Sequence, residues 1–287
     1  ATSLTRFADV HAANEVTRRG RETLAMLCRE LAQRGVTLLE ADTDGVYFSV
    51  PVAFTEADER RVVSEVDALL PPLVSLEYDG RYRAMLSHES KNYALLGHDG
   101  EVRLKGVAFR SSRAEPFGEA FLRRAIGALL VSDVAHVREV YVEVADAIRY
   151  RKLPTREVTA RVRVTKTRAQ YLAARDTRRE HTYEALLASG RPFRVGEKVR
   201  VYRRTGGQAA VLPDSDDEVE APRDYDTAYY ERLLRDTYAT RLSRAFTPED
   251  FAAVFADRTQ LTLFPRVLAD VRPVLERRLG PSGAKES

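Results

Sequence analysis

Near the start of the chain, Val16, Leu24, Leu27, Cys28 and Leu31 recur at spacings that line one side of a helix. Asp9 is placed to cap that helix and Gly35 to end it. Val36 to Glu40 then predicts a short buried strand, and Asp44-Gly45 is a hairpin signal ahead of a second strand, Val46 to Val50. Thr55 is placed to cap a second helix running to Leu70, where Pro71-Pro72 stops it. Alternating stretches follow at Leu73 to Tyr78, Tyr82 to Ser87, Tyr93 to Leu96 and Val102 to Val107, with Asp79-Gly80 and Asp99-Gly100 between pairs. They predict an antiparallel sheet. From Glu115 onward the period becomes helical, at Phe117 to Leu130, at His136 to Tyr150 and, after a mixed stretch, at Thr227 to Ser243. The acidic run Pro213-Asp-Ser-Asp-Asp-Glu has no apolar period and reads as an exposed loop. The predicted class is α+β in two domains, 1–112 and 113–287.

Composition agrees with a folded chain: 287 residues, 44% hydrophobic and 31% charged, suffice for a sizeable core. A single cysteine, Cys28, excludes an internal disulfide framework, and its place on the apolar stripe suits a core thiol. No apolar run approaches the roughly 20 residues of a membrane span, and the first residues lack a basic-then-apolar leader. The expectation is a cytoplasmic protein with no membrane partner.

Net charge is only +3, but it is sorted along the chain. Residues 151–204 hold 16 Lys or Arg against 5 Asp or Glu, whereas residues 213–236 hold 9 acidic against 3 basic. A surplus of that kind suits a surface that follows phosphates; a solvated basic face is the alternative.

The acidic sequence Glu40-Ala-Asp42-Thr-Asp44-Gly45 carries the most specific chemistry. Two carboxylates at i and i+2 beside a hairpin turn can hold a cation at a sheet edge, and Mg²⁺ is bound by a few carboxylates together with substrate phosphates. A solvated acidic turn is the bland alternative. A calcium loop fails, because its twelfth position is Pro51 rather than Glu and its first is Glu40 rather than Asp. There is no phosphate-loop motif, Gly206-Gly207 is an ordinary turn, and His11, His88, His98, His136 and His181 show no ligand spacing.

The order of these features resembles family B DNA polymerases. In that family a long helix leads into a strand and the hairpin called motif C, usually Asp-Thr-Asp; Val16 to Leu24 and then Leu38 to Phe48 look like that succession. The family more often has Tyr-Gly before and Ser after the triplet, where this chain has Glu40-Ala41 and Gly45. Lys91-Asn92-Tyr93 is similar to the family's Lys-x-Tyr motif near the primer strand, and Lys105-Gly106 to Arg110 and Arg113 resembles the basic segment where palm hands over to thumb. Arg151-Lys152-Leu153-Pro154, the basic stretch Val158 to Thr165 and Asp224 to Tyr230 look like thumb elements.

The resemblance implies a partial antiparallel palm followed by a mostly helical thumb with a small β portion. It implies that Asp42 and Asp44 are catalytic ligands of two Mg²⁺ ions, Asp44 the more essential. Lys91, Tyr93, Lys105, Gly106, Arg110 and Arg113 would bind primer-template DNA, with deoxynucleoside triphosphates as the other substrate. Nothing before Asp42 looks like motif A or motif B, so an N-terminal polymerase portion is expected as partner and the chain alone is expected to be inactive, working in the cytoplasm at the nucleoid. The alternatives are a non-catalytic nucleic-acid-binding palm-thumb subunit and, more remotely, another palm-type nucleotidyl transferase such as a cyclase, against which the basic thumb argues.

Overall fold

A computed structural model describes residues 9–42, 45–109, 114–212, 222–256 and 267–274, and divides the chain into two compact units, Ala1–Arg81 and Tyr82–Ser287. That division falls earlier than the change of pattern near residue 112. The reason is packing: Ala94, Leu104 and Phe109 share one core with helical residues such as Phe121, Ile126 and Val137.

In the first unit, α1 (Val10–Gln33) starts as expected, with Asp9 Oδ1 accepting from His11 N at 2.9 Å and Ala12 N at 3.0 Å. Only Leu27 and Leu31 of its stripe are buried; Val16 is 72% exposed. The upstream turns instead carry exposed ion pairs, Arg18 with Glu15 and Glu22 and Arg19 with Glu15, which support helix locally. Strands β1 (Thr37–Asp42) and β2 (Gly45–Ser49) form an antiparallel hairpin with an irregular register between Leu38 and Glu40. Helix α2 (Glu56–Asp67) begins at a Thr55–Asp58 capping box and ends before the expected Leu70. The core is Leu27, Leu31, Val36, Val62 and Val66, with Leu38, Val46 and Phe48 packed on it.

The stretch Leu73–Tyr78 is not the strand its alternation predicts. Leu73 has φ +73° and is fully exposed, and Asp67 Oδ1 takes the Leu76 amide at 2.6 Å. The segment is held by side chains instead: buried Glu59 accepts from Tyr78 Oη at 2.5 Å and pairs with Arg81 at 2.9 Å.

In the second unit, β3 (Tyr82–Glu89), β4 (Asn92–Gly97) and β5 (Val102–Lys105) form the expected antiparallel meander with β4 in the middle. Helices α3 (Pro116–Leu130) and α4 (Val134–Arg149) supply a large share of the main core. A second three-stranded sheet, β6 (Ala160–Arg163), β7 (Lys198–Arg203) and β8 (Ala209–Leu212), carries α5 (Arg168–Ala174) and α6 (His181–Ala188) on a satellite core of Val164, Tyr171, Tyr183, Leu186 and Val199. The helix expected over Thr227–Ser243 starts at an Asp226 cap as α7 (Thr227–Leu233), then continues through a π turn to Tyr238 and a 3-10 segment to Ala245. Helix α8 (Pro248–Val254) follows. The acidic run from Pro213 lies outside the described residues. Among the described residues no helix is long and apolar enough to cross a membrane.

Candidate functional site

The acidic hairpin is built by strand register. Ala41 pairs with Val46 and Asp42 with Gly45, so Gly45 opens the second strand and does not sit in the turn. Thr43 and Asp44 lie outside the described residues; for Asp42 the backbone is placed, at the last position of β1. The irregularity at Leu39 lets Leu38 and Phe48 pair and pack on the core while Glu40 pairs with Tyr47, half-buried. The donors this hairpin offers are carboxylates, and an all-oxygen set suits a hard cation such as Mg²⁺ better than the softer metals that histidine and cysteine select. Among the described residues no three His, Cys, Asp or Glu side chains come together to hold a metal.

The basic triplet is built differently. Strands β3 and β4 are joined by Ser90 and Lys91, and Lys91 takes φ +65° to close the turn. Asn92, the middle residue of the Lys-x-Tyr motif, is 8% exposed; its Nδ2 donates to the Ser90 carbonyl at 3.0 Å and its Oδ1 accepts from Ala108 N at 2.8 Å. It therefore binds the turn to the segment after β5. On the same ladder Tyr93 pairs with Lys105. Gly106 has φ +89°, and a Cβ there would fall 2.1 Å from the Lys91 carbonyl oxygen. Only glycine admits both that conformation and that approach. Lys91, Tyr93, Lys105 and Gly106 are thus brought to one end of one sheet. Arg110 and Arg113 lie outside the described residues.

Three side chains that sequence spacing did not single out complete this end. Asn92 is one. Arg241, distant in sequence, donates through Nη1 to the Ala108 carbonyl and lies 4.9 Å from the Tyr238 ring centroid. His88, on β3, stacks obliquely with Phe109 at 5.7 Å; burial pushes its pKa down, Glu89 opposes that shift, and Arg244 and Arg241 add to it. Below them Tyr238 donates to Glu115 Oε2 at 2.5 Å and accepts from Glu115 N at 3.1 Å, and burial followed by the Glu115 charge pushes its hydroxyl pKa well up. No local pattern marks Arg241 or Tyr238, since their partners lie more than a hundred residues away. Two lysines and a half-buried tyrosine on a rigid sheet end can meet phosphates or minor-groove acceptors.

The acidic hairpin belongs to the first unit and the basic sheet end to the second. No protein-family model matches the chain. It is 27% identical over 229 residues to a DNA polymerase of Thermococcus sp. (strain 9oN-7), covering 76% of the chain and 29% of that protein. It is 26% identical over 243 residues to a DNA polymerase of Thermococcus gorgonarius, covering 78% of the chain and 31% of that protein. A shorter stretch of 98 residues is 35% identical to DNA polymerase 1 of Pyrococcus abyssi, covering 33% of the chain and 13% of that protein. The structure of the family B DNA polymerase from the hyperthermophilic archaeon Pyrobaculum calidifontis superposes with a TM-score of 0.57 at 18% identity, over 90% of this chain and 31% of that one. The chain therefore spans less than a third of the length of these relatives. In sequence and in fold, it resembles part of a family B DNA polymerase.

Proposed function

We propose that this chain supplies the motif C carboxylates and the duplex grip of a family B DNA-directed DNA polymerase, acting with a portion that carries motifs A and B. In this reading residues 1–112 are the motif C side of the palm and 113–287 the thumb. The reaction joins the primer 3′ oxygen to the α-phosphorus of an incoming deoxynucleoside triphosphate and releases pyrophosphate. Asp42 and Asp44 would hold the metal ions together with a motif A aspartate from the other portion. Bound there, two Mg²⁺ ions would offset the negative charge that builds on the transferred phosphoryl group.

The remaining residues hold and orient. Lys91 and Tyr93 position the primer terminus, while Lys105, the Gly106 turn, Arg110 and Arg113 follow backbone phosphates without reading sequence. The work is placed in the cytoplasm, on the nucleoid. The observation that carries the reading is the convergence of Lys91, Tyr93, Lys105 and Gly106 on one sheet end through the Tyr93–Lys105 register, in a chain similar to DNA polymerases over 76% of its length.

Asp44→Asn in the completed enzyme tests it. Single-turnover extension is expected to slow by orders of magnitude with duplex affinity unchanged, because a metal ligand is lost and no phosphate contact is. Near-normal turnover would remove the catalytic role and favour a non-catalytic palm-thumb subunit.

A further inference from the structure

Where the last long helical segment passes the basic sheet end it is not a regular α-helix. It closes a π turn over Leu234–Tyr238 and continues as a 3-10 stretch of 7 residues, Ala239–Ala245. Such a stretch is long for 3-10 geometry, in which side chains three apart eclipse, and π turns recur at functional places. Tyr238 and Arg241 are three apart, and they reach the chain after β5 at two points, Glu115 and Ala108.

Arg241 donates through Nη1 to the Ala108 carbonyl, while Asn92 Oδ1 holds the Ala108 N–H at 2.8 Å. One residue is thereby fixed from the helical side and from the Lys91 turn. Glu115 is the N-cap of α3 and makes no side-chain cap bond. Its N–H, a donor of the kind a helix start leaves unpaired, goes to the Tyr238 hydroxyl at 3.1 Å, and that hydroxyl donates to the Glu115 carboxylate at 2.5 Å. A Cβ at Gly118 would fall 2.0 Å from Tyr238 Cζ, so the ring lies on bare backbone in the first turn of α3. A glycine inside a helix weakens it, and here it makes room for the ring. Tyr238 is 1% exposed, meets Phe117 edge-on at 5.5 Å and carries the Arg241 guanidinium 4.9 Å from its centroid.

We propose that Tyr238 and Arg241 form a brace that sets the geometry, and not the affinity, with which the Lys91–Tyr93 turn meets a primer terminus. They are positioning residues that act through Glu115 and Ala108 and touch no substrate. The inference rests on the primer-positioning role given above to Lys91 and Tyr93 and deepens it. The path is short: Arg241 to the Ala108 peptide, that peptide to Asn92, and Asn92 to the Ser90 carbonyl in the turn that Lys91 closes. Releasing one end lets the peptide tilt, and about 1 Å of misplacement far from the chemistry can cost about a hundredfold in rate.

Tyr171 supplies the control. In the satellite core its hydroxyl likewise donates to a carboxylate, Glu184 at 2.6 Å, accepts a backbone N–H, that of Glu180 at 3.2 Å, and is fully buried. Tyr171→Phe therefore removes the same pair of bonds from a different core.

The test uses the full 287-residue chain and a primer-template with 2-aminopurine at the primer 3′ end, whose emission reports stacking of the terminal base. Binding by the unmodified chain should change that emission. Tyr238→Phe and R241M should each lose most of the change while affinity, read by anisotropy, stays within about twofold because no phosphate contact is removed. R241K keeps a donor for Ala108 and should restore the change, and Tyr171→Phe should retain it. Amide exchange should accelerate at Ala108 in R241M and at Glu115 in Tyr238→Phe. Arg241 is half-buried, so R241M decides the outcome should Tyr238→Phe unfold. An undiminished change in either folded variant, an equal loss in Tyr171→Phe or R241K, unaltered amide exchange, or affinity falling with the emission change would overturn the brace and leave the duplex-holding reading standing. No duplex binding by the unmodified chain, or binding with no emission change, would overturn the primer-positioning reading and the brace together.

Discussion

The β1–β2 and β3–β4 hairpins both carry candidate site residues at or beside their turns, but they are held in place by different means. The first is a two-stranded sheet among the described residues, supported by Leu38, Val46 and Phe48 on a core of Leu27, Leu31, Val36, Val62 and Val66. A two-stranded hairpin is marginal in water without further packing. The second hairpin continues into β5, so Ala94, Leu95 and Leu96 of β4 are almost fully buried, and Asn92 and Gly106 lock its turn. The basic candidate residues are therefore positioned by their own unit. The acidic hairpin is a two-stranded sheet among the described residues, an arrangement to which a further strand can add.

The largest effect that would sharpen this contrast is at Gly106. Gly106→Ala must relieve both a left-handed backbone, costing about 1–2 kcal/mol, and an overpacked approach to Lys91, costing about 1–3 kcal/mol more. Chemical denaturation should show the second unit destabilised by a sum of that order, and duplex binding should weaken because Lys91 and Tyr93 move. An alanine variant of wild-type stability would show that the turn is not locked at this point.

A smaller effect separates the units by pH. The depressed pKa of His88 means that the unfolded chain binds its proton more readily than the folded one. The stability contribution is complete above the ordinary histidine value of about 6.5 and declines as pH falls below it. Thermal unfolding followed from pH 7.5 to 5.5 should show the unit containing β3 losing stability, and His88→Gln should flatten that decline. An unchanged decline in the variant would assign it to other groups.

Much of the framework was legible because local chemistry and packing agree. Asp9 and Thr55 cap the helices they were expected to cap, and the alternation over Tyr82–Ser87, Tyr93–Leu96 and, as far as Lys105, Val102–Val107 is met by real strand partners. The same alternation over Leu73–Tyr78 misled, because alternation records only the spacing of apolar groups, and the Leu73 backbone together with the Asp67 and Glu59 side chains holds that segment away from a ladder. Val16 fits the helical stripe in sequence, yet α1 extends past the core that buries Leu27 and Leu31. Lys91, Tyr93, Lys105 and Gly106 stood out as a motif order, and the β4–β5 register brings them to one sheet end. Asn92 looked like a spacer and is the buried anchor, and Arg241 reaches the site only through tertiary packing. Arg161 opposite Arg200 and Arg163 opposite Lys198 on β6 and β7 were visible only as part of a local charge surplus, since register decides which residues face each other.

The central claim is that this chain holds one side of a two-metal nucleotidyl-transfer site, so primer extension is its most direct measurement. With Mg²⁺, a primer-template and all four deoxynucleoside triphosphates, the purified 287 residues should give no extension. Adding the polymerase portion that carries motifs A and B should restore it, and restoration should fail with Asp44→Asn. Robust extension by the 287 residues alone, abolished by Asp44→Asn and so free of contaminating polymerase, would contradict the account.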